Sequence, residues 1–242
     1  MKRLAILLDN VAYVRSTLKN NDYDPVQFAI LGETAGAHGL VCTYTGSADG
    51  IKERDLRILK EIRKSFFNVR IPPQEQAFRL VLALRPDMVT FVDLKSSQHH
   101  TVYPLDTTVH LEYIQQMTTD LQANNISVSA LIKPEINILK NINRLQLDYI
   151  EIDVNNFTHA ENINEELIEL DKIKSTAMGA TKLGLGVNAS GGIRYEHLSS
   201  LAQVSNLEDI VLGDYIIHRS MLIGVEQAIK ETLQLIRLRE SD

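Results

Sequence analysis

The sequence has one cysteine, Cys42, and no tryptophan. A lone cysteine excludes a disulfide framework and any cysteine-based zinc site, and it suits a reducing compartment. Long hydrophobic runs are also missing. The opening apolar run, Leu4-Ala5-Ile6-Leu7-Leu8, is stopped by Asp9, too short for the roughly 7–15-residue apolar region of a secretory signal. No stretch approaches the roughly 20 apolar residues of a membrane span. The expected setting is therefore the cytoplasm, with no membrane partner, and the Asn-x-Ser/Thr triplets at Asn125, Asn156 and Asn188 are incidental. Positive charge is scarce: 25 Lys and Arg stand against 31 Asp and Glu, a formal net charge of −6. That balance argues against nucleic acid as the partner, because binding a phosphate backbone needs a basic face. A local basic pocket for a small anion stays open. The twelve glycines and six prolines do not gather into a linker, so nothing divides the 242 residues into two domains.

What is present is a repeated alternation. Arg3–Asp9 is apolar and compact enough for a buried strand, and Pro25–Ala35 carries apolar residues at helical spacing up to Gly36, a plausible C-cap. The same pairing recurs at 39–43 with 53–64, 67–70 with 74–84, 88–92 with 111–123, 126–132 with 136–145, 147–153 with 164–178, 183–188 with 195–202, and 209–212 with 225–238. Eight strands alternating with eight helices predict an α/β fold, a single (β/α)8 TIM barrel over residues 1–242, in preference to an open doubly wound sheet. The strand cores are nearly all apolar, as expected of parallel strands covered on both faces. Each tends to end in a polar residue: Asp9, Thr43, Arg70, Asp93, Lys133, Asp153, Asn188 and Gly213-Asp214. Polar residues are common where a strand leaves a core, but Asp9, Asp93 and Asp153 sharing one barrel mouth with Arg70 and Lys133 must be paired or bound to something.

Several stretches carry a resemblance that runs nearly end to end. They are Asp9 with Val11-Ala12 and Arg15, Asp24-Pro25-Val26, Glu33-x-Ala35-Gly36-Ala37-x-Gly39, and Ile51 leading to Arg54-Asp55-Leu56-Arg57-Ile58-Leu59. Further on come Lys133-Pro134-Glu135, Tyr149-Ile150-Glu151-Ile152, Val187-Asn188-Ala189, and Leu212-Gly213 followed by Ile216-Ile217. In order and spacing the chain resembles the pyridoxine 5′-phosphate synthase family of vitamin B6 biosynthesis. The resemblance implies a TIM-barrel transferase that condenses 1-deoxy-D-xylulose 5-phosphate with 3-amino-2-oxopropyl phosphate. It implies no metal or organic cofactor, a homo-oligomer, and His and Glu residues at the strand ends for proton transfer.

Those proton-transfer residues are not kept. The first strand reads Leu7-Leu8-Asp9-Asn10 where the family signature is Asn-x-Asp-His. The expected His of the second strand is Thr43, the Arg two residues on is Thr45, and the His before Ile51 is Gly50. The expected catalytic Glu of the third strand is Arg70, the Gly-His-Gly after the seventh is Ser190-Gly191-Gly192, the Gly-His after the eighth is Gly213-Asp214, and the Arg expected after the first strand falls at Leu18. A guanidinium stays protonated and cannot act as the base. General acid–base steps are worth about 10²- to 10⁴-fold each, so the family reaction is expected to be lost or altered.

Three site readings remain. Asn188, Ser190, Gly191 and Gly192 after strand seven and Gly213 with Asp214 after strand eight occupy the region where barrels bind phosphate through backbone N–H groups. With Asp9, Asn10 and Thr43 they form the expected binding set for a small phosphorylated metabolite. Asp214 would oppose an anion unless it points away or pairs with Arg219 or Arg194. Arg70, Lys133, Asp9 and Asp153 form the candidate catalytic set. Arg70 would clamp a carboxylate or phosphate and Lys133 would act as amine nucleophile or base if buried, unless these charges merely pair off. A hard-oxygen metal site from Asp9, Asp93, Asp153 and Asn188 is opposed by the two cations, so no metal is assigned. His99-His100 lies in a segment, 93–110, that reads as a flap, and Tyr44, Tyr103 and Phe157 read as packing groups. The function is then an enzyme of altered specificity, a silent binding or regulatory protein, or a working synthase with relocated groups.

Overall fold

The computed structural model describes residues 2–94 and 101–238; His99 and His100 lie outside them. The barrel strands are β1 (Arg3–Leu7), β2 (Gly39–Thr43), β3 (Phe66–Ile71), β4 (Met88–Phe91), β5 (Ser127–Ile132), β6 (Tyr149–Asp153), β7 (Gly186–Ser190) and β8 (Asp209–Leu212). All eight pair in parallel and in chain order, and β1 closes the ring on β8 through Arg3↔Asp209 to Ile6↔Leu212. The (β/α)8 barrel read from the alternation is the fold.

Period-two alternation within each strand separates two cores. Outward residues such as Leu4, Ile6, Leu40, Phe67, Val69, Phe91, Ile150, Ile152 and Leu212 are buried against the helices. Inward residues are largely polar. Among the described residues only Ala5, Val41 and Val211, with Leu7 packed on them, form an apolar cluster inside the barrel. Around them Asn68, Arg70, Thr90, Ser129, Glu151, Asn188 and Asp209 are all buried. Such groups survive burial by pairing: Thr90 donates to Asn68 at 3.0 Å, and at the N-terminal end Arg3 Nε donates to Asp209 at 2.5 Å.

The helices are α1 (Asp9–Leu18), α2 (Pro25–Ala35), α3 (Glu53–Ile62), α4 (Glu75–Leu84), α5 (Leu111–Ala123), α6 (Leu139–Leu145), α7 (Asn155–Thr158), α8 (Ile163–Lys182), α9 (Tyr195–Ala202), α10 (Asp214–Ile223) and α11 (Val225–Leu238). Three of them, α1, α7 and α10, are not anticipated by the sequence pattern. None starts with a side-chain cap; Leu8 is already in the right-handed helical region, so the chain passes from β1 into α1 without an interval. As a result Asp9 and Asp214, read as strand-end residues, are first-turn residues of helices. Strand seven also lies two to three residues later than its apolar pattern suggests, because α8 runs to Lys182 and turns at Gly184, φ +82°. Within the stretch 93–110 that the sequence suggests as a flap, Asp93–Leu94 pairs antiparallel with Val102–Tyr103. Among the described residues no helix is long and apolar enough to cross a membrane.

Candidate functional site

The C-terminal ends of the strands open into a cavity of about 340 Å³. Its floor is a buried ion pair that the sequence reading does not contain. Arg70 from β3 is 2% exposed and Glu151 from β6 is fully buried. Arg70 Nη2 and Ser190 Oγ, from β7, both donate to Glu151 Oε1. A carboxylate buried in this way needs a cation and a second donor to offset its desolvation, and Arg70 with Ser190 supplies both. Arg70 is therefore held across the barrel by Glu151; Asp9 and Asp153 are close enough to feel its charge, which acts to lower the pKa of each, but neither is its ion-pair partner, and Asp93 lies apart.

Lys133 does not join it. One residue beyond β5, its side chain is exposed. Burial was the condition for a lowered amine pKa, so the nucleophile or base role falls away. Asp93 belongs to the two-stranded ribbon and accepts the backbone N–H of Asp106 at 2.7 Å. Asn188 is 3% exposed inside the barrel, where its side chain accepts the N–H of Asp209 at 3.2 Å. It faces the interior and does not line the mouth.

Asp9 and Thr43 lie in a separate recess of about 30 Å³, shared with Asn10, Tyr13, Thr45 and Gly50. The Asp9 carboxylate accepts the N–H of Thr43 at 2.7 Å, and burial pushes its pKa up against that bond. The recess wall is pinned by Arg15, whose guanidinium forms a bidentate pair with Asp55 at 3.0 and 2.7 Å and donates to the Gly50 carbonyl at 3.2 Å. The expected binding set thus divides between two openings, and Asn10 lines both.

The larger cavity gathers the two glycine-bearing loops. Gly191 (φ +119°) and Gly192 (φ +58°) both occupy the left-handed region, which lets the backbone turn its amides toward the opening. Among the described residues no partner accepts the backbone N–H groups of Gly191, Gly192, Ile193 or Gly213. Gly213 precedes α10, so the first-turn amides of that helix open onto the same space. Asp214 pairs with neither Arg194 nor Arg219; it accepts from Asn10 Nδ2 at 3.2 Å. Arg219 is engaged by Glu231 at 2.8 Å, and Arg194 sits exposed at the rim, 3.8 Å from Glu196.

The third wall comes from α7. Asp153, at the end of β6, accepts both the backbone N–H and the side-chain amide of Asn155, at 3.0 and 2.6 Å. Burial pushes its pKa up while these bonds hold it down. The Asn155 carbonyl in turn lies 2.9 Å from His159 Nδ1. Sequence reasoning missed Glu151, Asn155 and His159. Glu151 had a signal, an acidic residue at an inward position of an apolar strand, whereas Asn155 and His159 reach the mouth only through a one-turn helix that no periodicity announces. Phe157 is a packing group as read, fully buried edge-on to His197 at 5.4 Å; Tyr44 is likewise buried. Among the described residues no group of three or more His, Cys, Asp or Glu side chains could hold a metal ion.

A closed parallel (β/α)8 barrel, with loop amides, acids and an imidazole gathered at the C-terminal mouth, places the chain among TIM-barrel proteins. The fold is shared with solved barrels of low sequence identity. KGPDC from Streptococcus mutans matches with a TM-score of 0.66 at 10% identity, over 98% of both chains. N-(5'-phosphoribosyl)anthranilate isomerase from Pyrococcus furiosus matches with a TM-score of 0.62 at 11% identity, over 98% of this chain and 100% of that one. Sequence goes further. The family described as "Pyridoxal phosphate biosynthesis protein PdxJ" matches residues 4–238, and the chain belongs to that family. It is 32% identical over 237 residues to the pyridoxine 5'-phosphate synthase of Citrifermentans bemidjiense, covering 98% of this chain and 99% of that protein. It is 30% identical to that of Geobacter sulfurreducens, with the same coverage.

Proposed function

We propose that the protein binds a small phosphorylated metabolite at the barrel mouth and no longer carries out the condensation named for its relatives at the rate of a family enzyme. The observation that carries the first part is the set of unpartnered amides of Gly191, Gly192, Ile193 and Gly213 around one cavity of about 340 Å³. Oriented N–H groups of this kind favour an oxyanion without needing a basic face. Asp214 lines the same cavity with only the neutral Asn10 amide on its carboxylate, so its charge works against the anion and the amides must outweigh it. The second part rests on residue chemistry: Arg70 stands where the base is expected and is neutralised by Glu151, while Thr43, Gly191 and Asp214 stand where imidazoles are expected.

A silent binding or regulatory protein is favoured over an enzyme of altered specificity by the closure of Arg70 onto Glu151 and by the exposure of Lys133. The family resemblance supports a homo-oligomer, readable by light scattering, and the single buried thiol of Cys42 is consistent with the cytoplasm.

A thermal-shift series with inorganic phosphate, both synthase substrates and pyridoxine 5′-phosphate tests the reading. A ligand at 100 times its dissociation constant adds about 2.7 kcal/mol, or about 5–10 °C in Tm for a chain of this size. Absence of a shift with every phosphorylated compound refutes the site. Formation of pyridoxine 5′-phosphate at a rate near that of a family enzyme refutes the loss of the reaction.

A further inference from the structure

The inner edge of the cavity is shaped by an imidazole. A Cβ placed on Gly192 would lie 2.6 Å from His159 Cε1 and 2.6 Å from Thr158 Oγ1. The ring therefore occupies the space that a side chain at position 192 would fill, directly against the amides proposed to hold the anion. His159 is exposed to the cavity it lines.

Its hydrogen bonds decide which nitrogen faces the ligand. His159 Nδ1 lies 2.9 Å from the carbonyl oxygen of Asn155 and 3.1 Å from Thr158 Oγ1. A carbonyl oxygen can only accept, so Nδ1 carries the hydrogen and donates it. In the neutral ring Nε2 is then the lone-pair nitrogen, and among the described residues it has no hydrogen-bond partner. The carbonyl that fixes the tautomer belongs to Asn155, whose own amides are fixed by Asp153. The ring is thus oriented through two successive residues anchored on β6, as an imidazole must be if one nitrogen is to meet a ligand reproducibly.

We propose that His159 is a ligand-binding residue of the mouth, presenting Nε2 to the anionic oxygen held by the Gly191–Gly192 loop and taking up a proton when that oxygen arrives. This rests on the anion-binding reading given above and adds its titratable partner. A dianion and a lone pair repel, whereas a protonated Nε2 forms a charge-assisted hydrogen bond. Binding and protonation are therefore linked, and affinity falls as pH rises through the His range. The other charged groups around the ring are Asp153 on β6, Arg194 and His197 at the start of α9, Asp214 on α10, and Arg70 on the floor. Arg70 is already paired with Glu151. The pKa of His197 is lowered by burial, its Nδ1 accepts the Arg194 N–H at 3.1 Å, and a positive charge on His159 acts to lower it further, so the two rings are followed together.

The experiment uses sulfate, a dianion throughout pH 5–9, so that the ligand's own titration does not enter. The full-length protein, labelled in its histidine rings and backbone amides, is titrated by NMR with and without sulfate and then with inorganic phosphate. Comparison with His159→Asn assigns the ring. Expected are shifts of the Gly191 and Gly192 amides, a rise of about one pH unit or more in the His159 midpoint, and roughly tenfold weaker sulfate binding at pH 8.5 than at pH 6. In His159→Asn the amide shifts persist with no such pH dependence. Amide shifts with an unmoved His159 midpoint overturn this inference and leave the anion site standing. If neither the amides nor the ring respond to sulfate or phosphate, the anion-binding reading fails and this inference with it. The wild-type titration decides between these outcomes even if the variant does not fold.

Discussion

The Arg70–Glu151 pair supports the sharpest prediction, because both groups are almost wholly out of water. Glu151→Gln keeps the shape of the side chain and an oxygen that can accept from Arg70 and Ser190, so no cavity forms and packing does not change. It removes the negative charge and puts an amide NH2 at the unpartnered Oε2 position, leaving a guanidinium that is 2% exposed without a counterion. Stripping one partner from a buried pair costs about 3–5 kcal/mol. At about 2–4 °C per kcal/mol for a chain of this size, Tm falls by about 6–20 °C. The loss is nearly independent of salt, since screening acts weakly on buried charges. The exposed i,i+4 pair of Arg57 and Glu53 provides the contrast. There Glu53→Gln costs less than about 1 kcal/mol, and salt reduces even that. Equilibrium urea unfolding followed by circular dichroism, at low and high salt, reads both. Combining Arg70→Met with Glu151→Leu completes the cycle. Replacing the whole pair by apolar groups is expected to recover most of the stability lost in either single variant. A Glu151→Gln cost no larger than that of Glu53→Gln, or strictly additive single costs in the double variant, would refute the claim that the floor is a mutually dependent ion pair.

Two further outcomes follow from the mouth. Gly192→Ala combines a positive φ of +58° with a Cβ 2.6 Å from His159 and Thr158, whereas Gly46→Ala has a similar φ, +73°, and open space. Urea unfolding is expected to show a loss of about 1–3 kcal/mol for Gly192→Ala and a smaller one for Gly46→Ala, and equal losses would mean that the contact with α7 does not matter. For Asp9 the sign follows from burial, which raises its pKa in the folded protein above the ordinary value of 3.8. The folded state then holds more protons than the unfolded state from about pH 4 up to the raised value. Wild-type stability therefore falls through that window as pH rises. Asp9→Asn keeps an acceptor for the Thr43 N–H and lacks the titration, so the variant gains on the wild type between pH 4 and pH 7. Stability curves that stay parallel across that range would contradict the assignment.

The alternation of apolar runs and helical spacing was enough to determine the barrel, because parallel strands covered on both faces must be apolar over their length and need a crossover helix between them. The strand ends at Gly39–Thr43 and Asp209–Leu212 were legible to the residue. So was the departure from the family's proton-transfer set, since Arg70, Thr43 and Gly191 are visible without any coordinates. The helices α1, α7 and α10 were not legible. Each begins without a side-chain cap, and two of them turn residues that read as strand ends into helix starts.

Charge pairing was likewise beyond the sequence, which offers several acids at strand ends and no rule for choosing among them. The choice of Glu151 for Arg70 is made by register and by the closing of the barrel, which bring β3 and β6 face to face across a buried interior, where one carboxylate must take one cation. The same closure exposes Lys133 and turns Asn188 inward, and the one-turn helix after β6 brings His159 against Gly192. Residue types set which side-chain chemistry stands at the strand ends. The tertiary structure alone decided which groups meet at the mouth, because side chains far apart in sequence are neighbours there only once the ring of strands is closed.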